Sequence, residues 1–138
     1  MTIKTPSGAA LLKPETLQTH ERGGGARTTP LVGKGIGTNS FITGYTAFDP
    51  GVEIPFHSHN CEESVVLMEG DAMLDIDGLE YQLKPHDVTY IPPNVSHRFR
   101  NLSQTNPMKI LWIYANVDAT RTLTSSGVTN AVSAEHSR

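Results

Sequence analysis

Cysteine is nearly missing from this chain: Cys61 is the single one among 138 residues. That excludes an intramolecular disulfide framework and fits a reducing compartment. A lone thiol reads first as a small buried apolar side chain, with oxidation beside a redox metal as the alternative. Long apolar runs are missing too, and none approaches the ~20 residues that a membrane span needs. There is no long run of Lys or Arg and the formal net charge is −3, which argues against nucleic acid or an anionic membrane as partner. Residues 1–12 hold one lysine and no apolar core, so no secretory signal is read there. A convincing 3.6-residue apolar period is also absent, so helices are not expected. These absences leave a soluble, cytoplasmic, single-domain chain, long enough to fold around its own core.

What the chain does have is a succession of short runs rich in β-branched and aromatic residues, punctuated by Gly, Pro, Asn and Asp. Strands are expected over residues 41–48, 54–59, 64–68, 72–76, 79–83, 88–91, 96–100 and 108–114. The Asp77-Gly78 pair between two alternating runs is a hairpin signal. Residues 108–114 are apolar on both faces and are expected in the middle of a sheet. Eight or nine such strands with short turns predict an all-β antiparallel sandwich or jelly roll.

Three regions divide the chain. Residues 1–32 read as an N-terminal arm, loose to residue 21, with a glycine hinge at 21–27 and a possible edge strand at 28–32 limited by Pro30. Residues 33–117 hold the barrel, and 118–138 form a Thr- and Ser-rich tail, frayed from residue 130. Gly33-Lys34-Gly35-Ile36-Gly37 has neither the register nor the βαβ setting of a phosphate loop, so it reads as turn chemistry.

The chemistry gathers between Gly51 and Gly70. Successive side chains on a strand face opposite ways, so His57 and His59 look to the same side and form a chelating pair for a divalent metal. Glu63 follows a short polar turn and leads the next strand, and a hairpin there brings its carboxylate back over both imidazoles. An anionic oxygen ligand offsets the cost of burying a cation. Gly51 and Gly70 stand at turns that call for positive φ or close backbone approach.

The stretch resembles the first motif of the cupin superfamily: Gly, five residues, His-x-His, three or four residues, Glu, six residues, Gly. Gly51, His57, His59, Glu63 and Gly70 meet every fixed position. Residues 85–101 resemble the second motif through Pro92, His97 and Asn101, with His86 and Asn94 standing where the family usually has glycine. The resemblance implies a cupin jelly-roll barrel that holds one divalent metal through His57, His59, Glu63 and His97. Fe(II) is favoured, with Mn, Ni or Zn as alternatives, and Glu63 is also the candidate catalytic residue. It further implies a homodimer, in which small cupins often exchange an N-terminal strand; a plain linker is the alternative.

Three His and one Glu leave open positions on a six-coordinate ion, and a closed structural zinc site usually leans on cysteine. Three function classes stay open: a dioxygenase, an oxygen-independent isomerase, cyclase, lyase or decarboxylase, and a non-catalytic metal or small-ligand module. The first is preferred because no further dedicated acid–base residue is visible beside the ligands. Each acts on, or binds, a small molecule. Phe99 shares a face with His97 and is expected to wall the pocket, whereas Arg98 and Arg100 point to the other side. Tyr45, Tyr90, Trp112 and Tyr114 are candidates for the pocket or the core. His20 and His86 lack the register of the other histidines and are expected to be exposed.

Overall fold

The computed structural model describes residues 2–136. Fourteen strands follow one another: β1 (Thr2–Lys4), β2 (Ala10–Leu12), β3 (His20–Gly23), β4 (Ala26–Pro30), β5 (Ile42–Phe48), β6 (His57–His59), β7 (Glu63–Glu69), β8 (Ala72–Ile76), β9 (Leu79–Leu83), β10 (Val88–Ile91), β11 (His97–Asn101), β12 (Met108–Tyr114), β13 (Thr120–Leu123) and β14 (Thr129–Ala131). Helix is confined to short 3-10 turns, the last over Val132–His136. No helix among the described residues is long and apolar enough to cross a membrane.

Two six-stranded antiparallel sheets form the jelly roll. One runs β10-β7-β12-β5-β4-β3 and the other β14-β13-β6-β11-β8-β9, while β1 and β2 pair as a separate hairpin. The cause is the two-residue side-chain period. On β5 and β12 every second residue is buried, and on β11 His97, Phe99 and Asn101 are buried while the two arginines between them are not. Phe48, Val65, Leu67, Phe99 and Met108 are at most 1% exposed and fill the space between the sheets. Each side chain of this size contributes roughly 1.5–3 kcal/mol relative to its exposed state.

Close packing dictates one glycine. Gly44 lies opposite Trp112 on the neighbouring strand, and a Cβ there would sit 2.1 Å from Trp112 Cζ2. The indole covers that gap and donates through Nε1 to Thr46 Oγ1 at 2.9 Å. The β8–β9 turn has Asp77 at φ 56° and Gly78 at φ 74°, the pair of positive values that a two-residue hairpin with right-handed twist requires. His86 and Asn94 also lie in the left-handed region, at φ 77° and 66°. Both positions therefore keep the backbone that glycine has in the family pattern, at some strain for the histidine.

Four expectations need correction. Residues 21–27 are not a hinge: β3 and β4 form a hairpin across Gly24 and Gly25, and β3 covers the outer side of β4. Strand β4 consequently lies inside the sheet, paired with β5 of its own chain, and Pro30 is tolerated because it closes the strand. The tail supplies β13 and β14 to the second sheet, a 3-10 turn follows over Val132–His136, and Val132 is buried, so this stretch has regular structure and is not frayed. Residues 137 and 138, also part of that expectation, lie outside the described residues. Finally, β6 and β7 are not a hairpin. They belong to opposite sheets, and Asn60, Cys61 and Glu62 carry the chain from one to the other.

Candidate metal centre

That sheet change sets the site. His57 and His59 sit on the inner face of β6, and His97 on β11 lies directly opposite His57 in the same sheet. Glu63 opens β7 in the facing sheet, so its carboxylate meets the three imidazoles across the barrel interior. The ring centroids are 4.9 Å apart for His57 and His59, 4.5 Å for His57 and His97, and 5.8 Å for His59 and His97. One nitrogen from each ring lies within 4.8 Å of the others. Glu63 Oε1 is 2.8 Å from His97 Nε2, and Oε2 is 3.6 Å from His59 Nε2. All four side chains are at most 3% exposed.

The second nitrogen of each ring decides what the first can do. His57 Nδ1 lies 2.9 Å from the carbonyl of Pro55, His59 Nδ1 2.9 Å from that of Thr120, and His97 Nδ1 2.9 Å from that of Val95. A carbonyl only accepts, so each Nδ1 carries the hydrogen, and the neutral ring presents a bare lone pair at Nε2. His59 Nε2, His97 Nε2 and Glu63 Oε1 have no hydrogen-bond partner although they are buried. The 2.8 Å contact between His97 and Glu63 is then acceptor against acceptor. A cation has to lie between such atoms, either a proton on His97 or a metal ion. Three convergent imidazole lone pairs beside a carboxylate are a donor set that fits a divalent first-row metal.

Electrostatics favour neutral rings at His57 and His59 and a proton shared with Glu63 at His97. Burial holds His57 well below its ordinary pKa, with His97, His59 and Arg121 adding to the effect. Burial also lowers His59, partly offset by Glu63. For His97 burial works the same way, but the adjacent Glu63 carboxylate outweighs it and the pKa is raised. That proton is what a metal would displace.

Aromatic side chains close the site. Phe99 is 6.0 Å from His97 between ring centroids, edge to face, on the same inner side of its strand. Tyr114 packs on His59 at 4.3 Å and stacks on Trp112 at 4.6 Å. Burial, reinforced by Glu63, pushes the Tyr114 phenol well above its ordinary pKa. Tyr45 and Tyr90 are elsewhere: Lys109 lies over Tyr45, and exposed Tyr90 donates to Glu62. Arg98 and Arg100 point outward and share Asp75, as their register required. Asn101, the last residue of the second motif, is structural; it donates to the carbonyls of Asp49 and Asn106 and accepts from Ser103 N–H.

His86 is exposed, as expected, whereas His20 is buried at 8% exposure because the hairpin to β4 turns it inward. Cys61 is a buried free thiol whose pKa burial raises, in line with an inert apolar role. Sequence reading left Tyr114 among several aromatics, although its two-residue register with Trp112 and Ile110 marks it as inward-facing. Arg22, Arg121 and Glu135, which meet next to the site, were not found. They come from segments read as hinge and tail, where no apolar alternation pointed to a sheet.

Residues 44–114 match the family described as "Cupin domain". Polyketide synthase CurC of Streptomyces cyaneus is 36% identical over 85 residues, covering 59% of this chain and 53% of that protein. The 5-nitrosalicylic acid 1,2-dioxygenase of a Bradyrhizobium species is 34% identical over 68 residues, 49% of this chain and 33% of the other. The chain thus spans about half the length of the first relative and a third of the second. Among solved structures, the polyketide cyclase RemF from Streptomyces resistomycificus superposes with a TM-score of 0.71 at 17% identity, over 88% of this chain and 84% of that one. At that identity the likeness is one of fold.

Proposed function

Because the chain belongs to the cupin family, we propose that it is a metal-dependent enzyme that moves protons on a small oxygen-rich substrate, in the oxygen-independent isomerase, cyclase or lyase class. His57, His59, His97 and Glu63 are assigned as the ligands of one divalent ion. When bound, such an ion supplies Lewis acidity toward a substrate carbonyl or carboxylate. The observation that carries this reading is Tyr114. Preference for an oxygenase rested on the lack of an acid–base group beside the ligands, and Tyr114 removes that ground. Its ring packs against His59, and burial with Glu63 holds the phenol protonated far above neutral pH, which makes it a hydrogen-bond donor to an oxygen that gains negative charge. The Nδ1–H bonds to backbone carbonyls hold the imidazoles in place, and Phe99 and Trp112 keep water away.

The 36%-identical relative named as a polyketide synthase supports this class. A dioxygenase is the second reading, favoured by the 34%-identical relative of that name. Turnover of 1,3-diketones and short polyketones under strict anaerobiosis separates the two. Zinc-, manganese- and iron-loaded protein are all expected to work, and Tyr114→Phe is expected to lower kcat by about 10²–10⁴-fold with metal content unchanged. Activity confined to the iron form in air would reject this reading in favour of the dioxygenase.

A further inference from the structure

Next to the histidine cluster, three charged side chains meet that the metal site does not use. Arg121 lies opposite His59, and Leu123 opposite His57, across the β13–β6 ladder. Directly opposed residues share a face, so the Arg121 side chain is on the inner side together with the ligands. Arg22 reaches the same place from β3, and Glu135 from the 3-10 turn after β14. Glu135 Oε2 accepts from Arg121 Nη1 at 3.0 Å, and Oε1 is 3.7 Å from Arg22 Nη2. The side chains are 15%, 13% and 21% exposed for Arg22, Arg121 and Glu135. Together they line a cavity of about 570 Å³ whose wall includes Ile54, Pro55 and Leu123. Pro55 is the residue whose carbonyl anchors His57, so this cavity and the metal site share a wall.

The charges in this cavity do not balance. Two guanidinium groups face one carboxylate. The other carboxylates on the cavity wall are engaged elsewhere, Glu21 with Arg27 at 3.1 Å and Glu53 with Arg98 at 2.7 Å. Burial lowers the Arg22 pKa, Glu135 offsets part of that, and the like charge of Arg121 adds a smaller lowering. A planar fork that is already desolvated binds carboxylates well, because little further desolvation is needed. A carboxylate from the chain itself holds that place. Glu135 sits in a segment anchored by buried Val132, whose N–H donates to the Ala119 carbonyl at 2.9 Å.

We propose that Arg22 and Arg121 form the recognition subsite for the carboxylate of a small organic acid, and that Glu135 holds this subsite in the free protein and gives way to the substrate. The role of the acid as substrate rests on reading the adjacent histidine cluster as the reacting centre; the anion site itself does not. The class of ligand is thereby narrowed to a small acid whose carboxylate docks on the arginines, beside the wall that the cavity shares with the histidine cluster.

The test uses the full chain and benzoate as probe, with benzamide as its uncharged counterpart. Truncating the tail would remove buried Val132 and risk the fold, so Glu135→Gln is the first variant. It keeps the shape and removes the competing charge. Benzoate, titrated by NMR, is expected to bind Glu135→Gln at least tenfold more tightly than the unaltered protein, and benzamide equally to both. Adding Arg121→Gln to that variant is expected to abolish the gain. Equal benzoate affinity with and without the Glu135 charge would overturn the proposal, as would a gain that survives loss of Arg121. The titration is run on chelated and on zinc-loaded protein. Tightening in both, with no zinc bound by elemental analysis, would keep the anion site and discard the metal reading. Zinc binding without tightening would do the reverse.

Discussion

Metal removal offers the most direct check on the site, because the cost of an empty donor set can be worked from the geometry. Without an ion, His59 Nε2, His97 Nε2 and Glu63 Oε1 are buried acceptors without donors. A buried polar atom left unsatisfied costs about 1–3 kcal/mol. A proton on His97 lets Nε2 donate to Glu63 Oε1 and satisfies both atoms, so His59 Nε2 alone, at about 1–3 kcal/mol, is left for a metal to relieve. What an experiment reads is set by mass action: at a free ion concentration of 100 times Kd, the folded state gains about 2.7 kcal/mol. Unfolding entropy near ~60 °C is about 2.1 cal/mol/K per residue, or roughly 0.29 kcal/mol/K for a chain of this length. The expected rise in Tm is therefore about 9 °C. Differential scanning calorimetry of chelated and zinc-loaded protein measures it. His57→Ala and His97→Ala should each lose nearly all of that increment, whatever they do to the chelated baseline. Glu63→Gln should lose part of it, since an amide oxygen ligates without charge. His86→Ala should keep all of it, because that exposed residue only serves a turn. An increment that persists in both His57→Ala and His97→Ala would refute the ligand assignment outright.

Two further predictions concern the frame around the site. Asp75 accepts from Arg98 Nε and Arg100 Nε, both at 2.8 Å, and its pKa is lowered, first by the Arg100 bond and also by Arg98. Because the arginines are 24% exposed and keep Glu53 and Glu80 as other partners, Asp75→Ala should cost about 1–3 kcal/mol by urea unfolding at neutral pH rather than the larger loss of a sealed pair. The sign with pH follows from the lowered folded pKa: the contribution is present above the unfolded carboxylate value of ~3.9 and fades as pH drops through the folded one. A penalty that grew on acidification would contradict it. Gly44→Ala should destabilise by at least about 1–3 kcal/mol and alter the near-UV circular dichroism of Trp112, because the added Cβ claims space held by the indole; an unchanged spectrum would count against that packing.

Much of the frame and the clustering of three histidines was legible in the sequence because both obey the two-residue period. The strand period over residues 54–59 and 96–100 put His57 and His59 on one side and set His97 and Phe99 apart from Arg98 and Arg100, whereas residues 108–114, apolar on both faces, indicated only a central strand. The Asp77-Gly78 hairpin was readable from local turn chemistry alone. Long-range decisions were not readable. Nothing local distinguishes a tight turn from a crossing between sheets at residues 60–62, so the real source of Glu63, the opposite wall, was missed. The Gly-rich stretch at 23–25 looked like a hinge because glycine signals a turn without saying whether the flanks pair. Arg22, Arg121 and Glu135 lie on segments with little apolar content, where burial comes from their ion pairs and not from a hydrophobic pattern.

The three imidazoles are held by main-chain oxygens of Pro55, Val95 and Thr120, not by side chains. Every amino acid brings the same carbonyl, so any residue that keeps the local backbone path can stand at those positions without changing which ring nitrogen carries the hydrogen. Random substitution around the ligands should therefore leave metal affinity largely untouched while it reshapes the cavity wall. In a laboratory evolution experiment the lining would drift and the donor set would stay fixed. Such an arrangement lets the cavity wall change without rebuilding the histidine cluster each time.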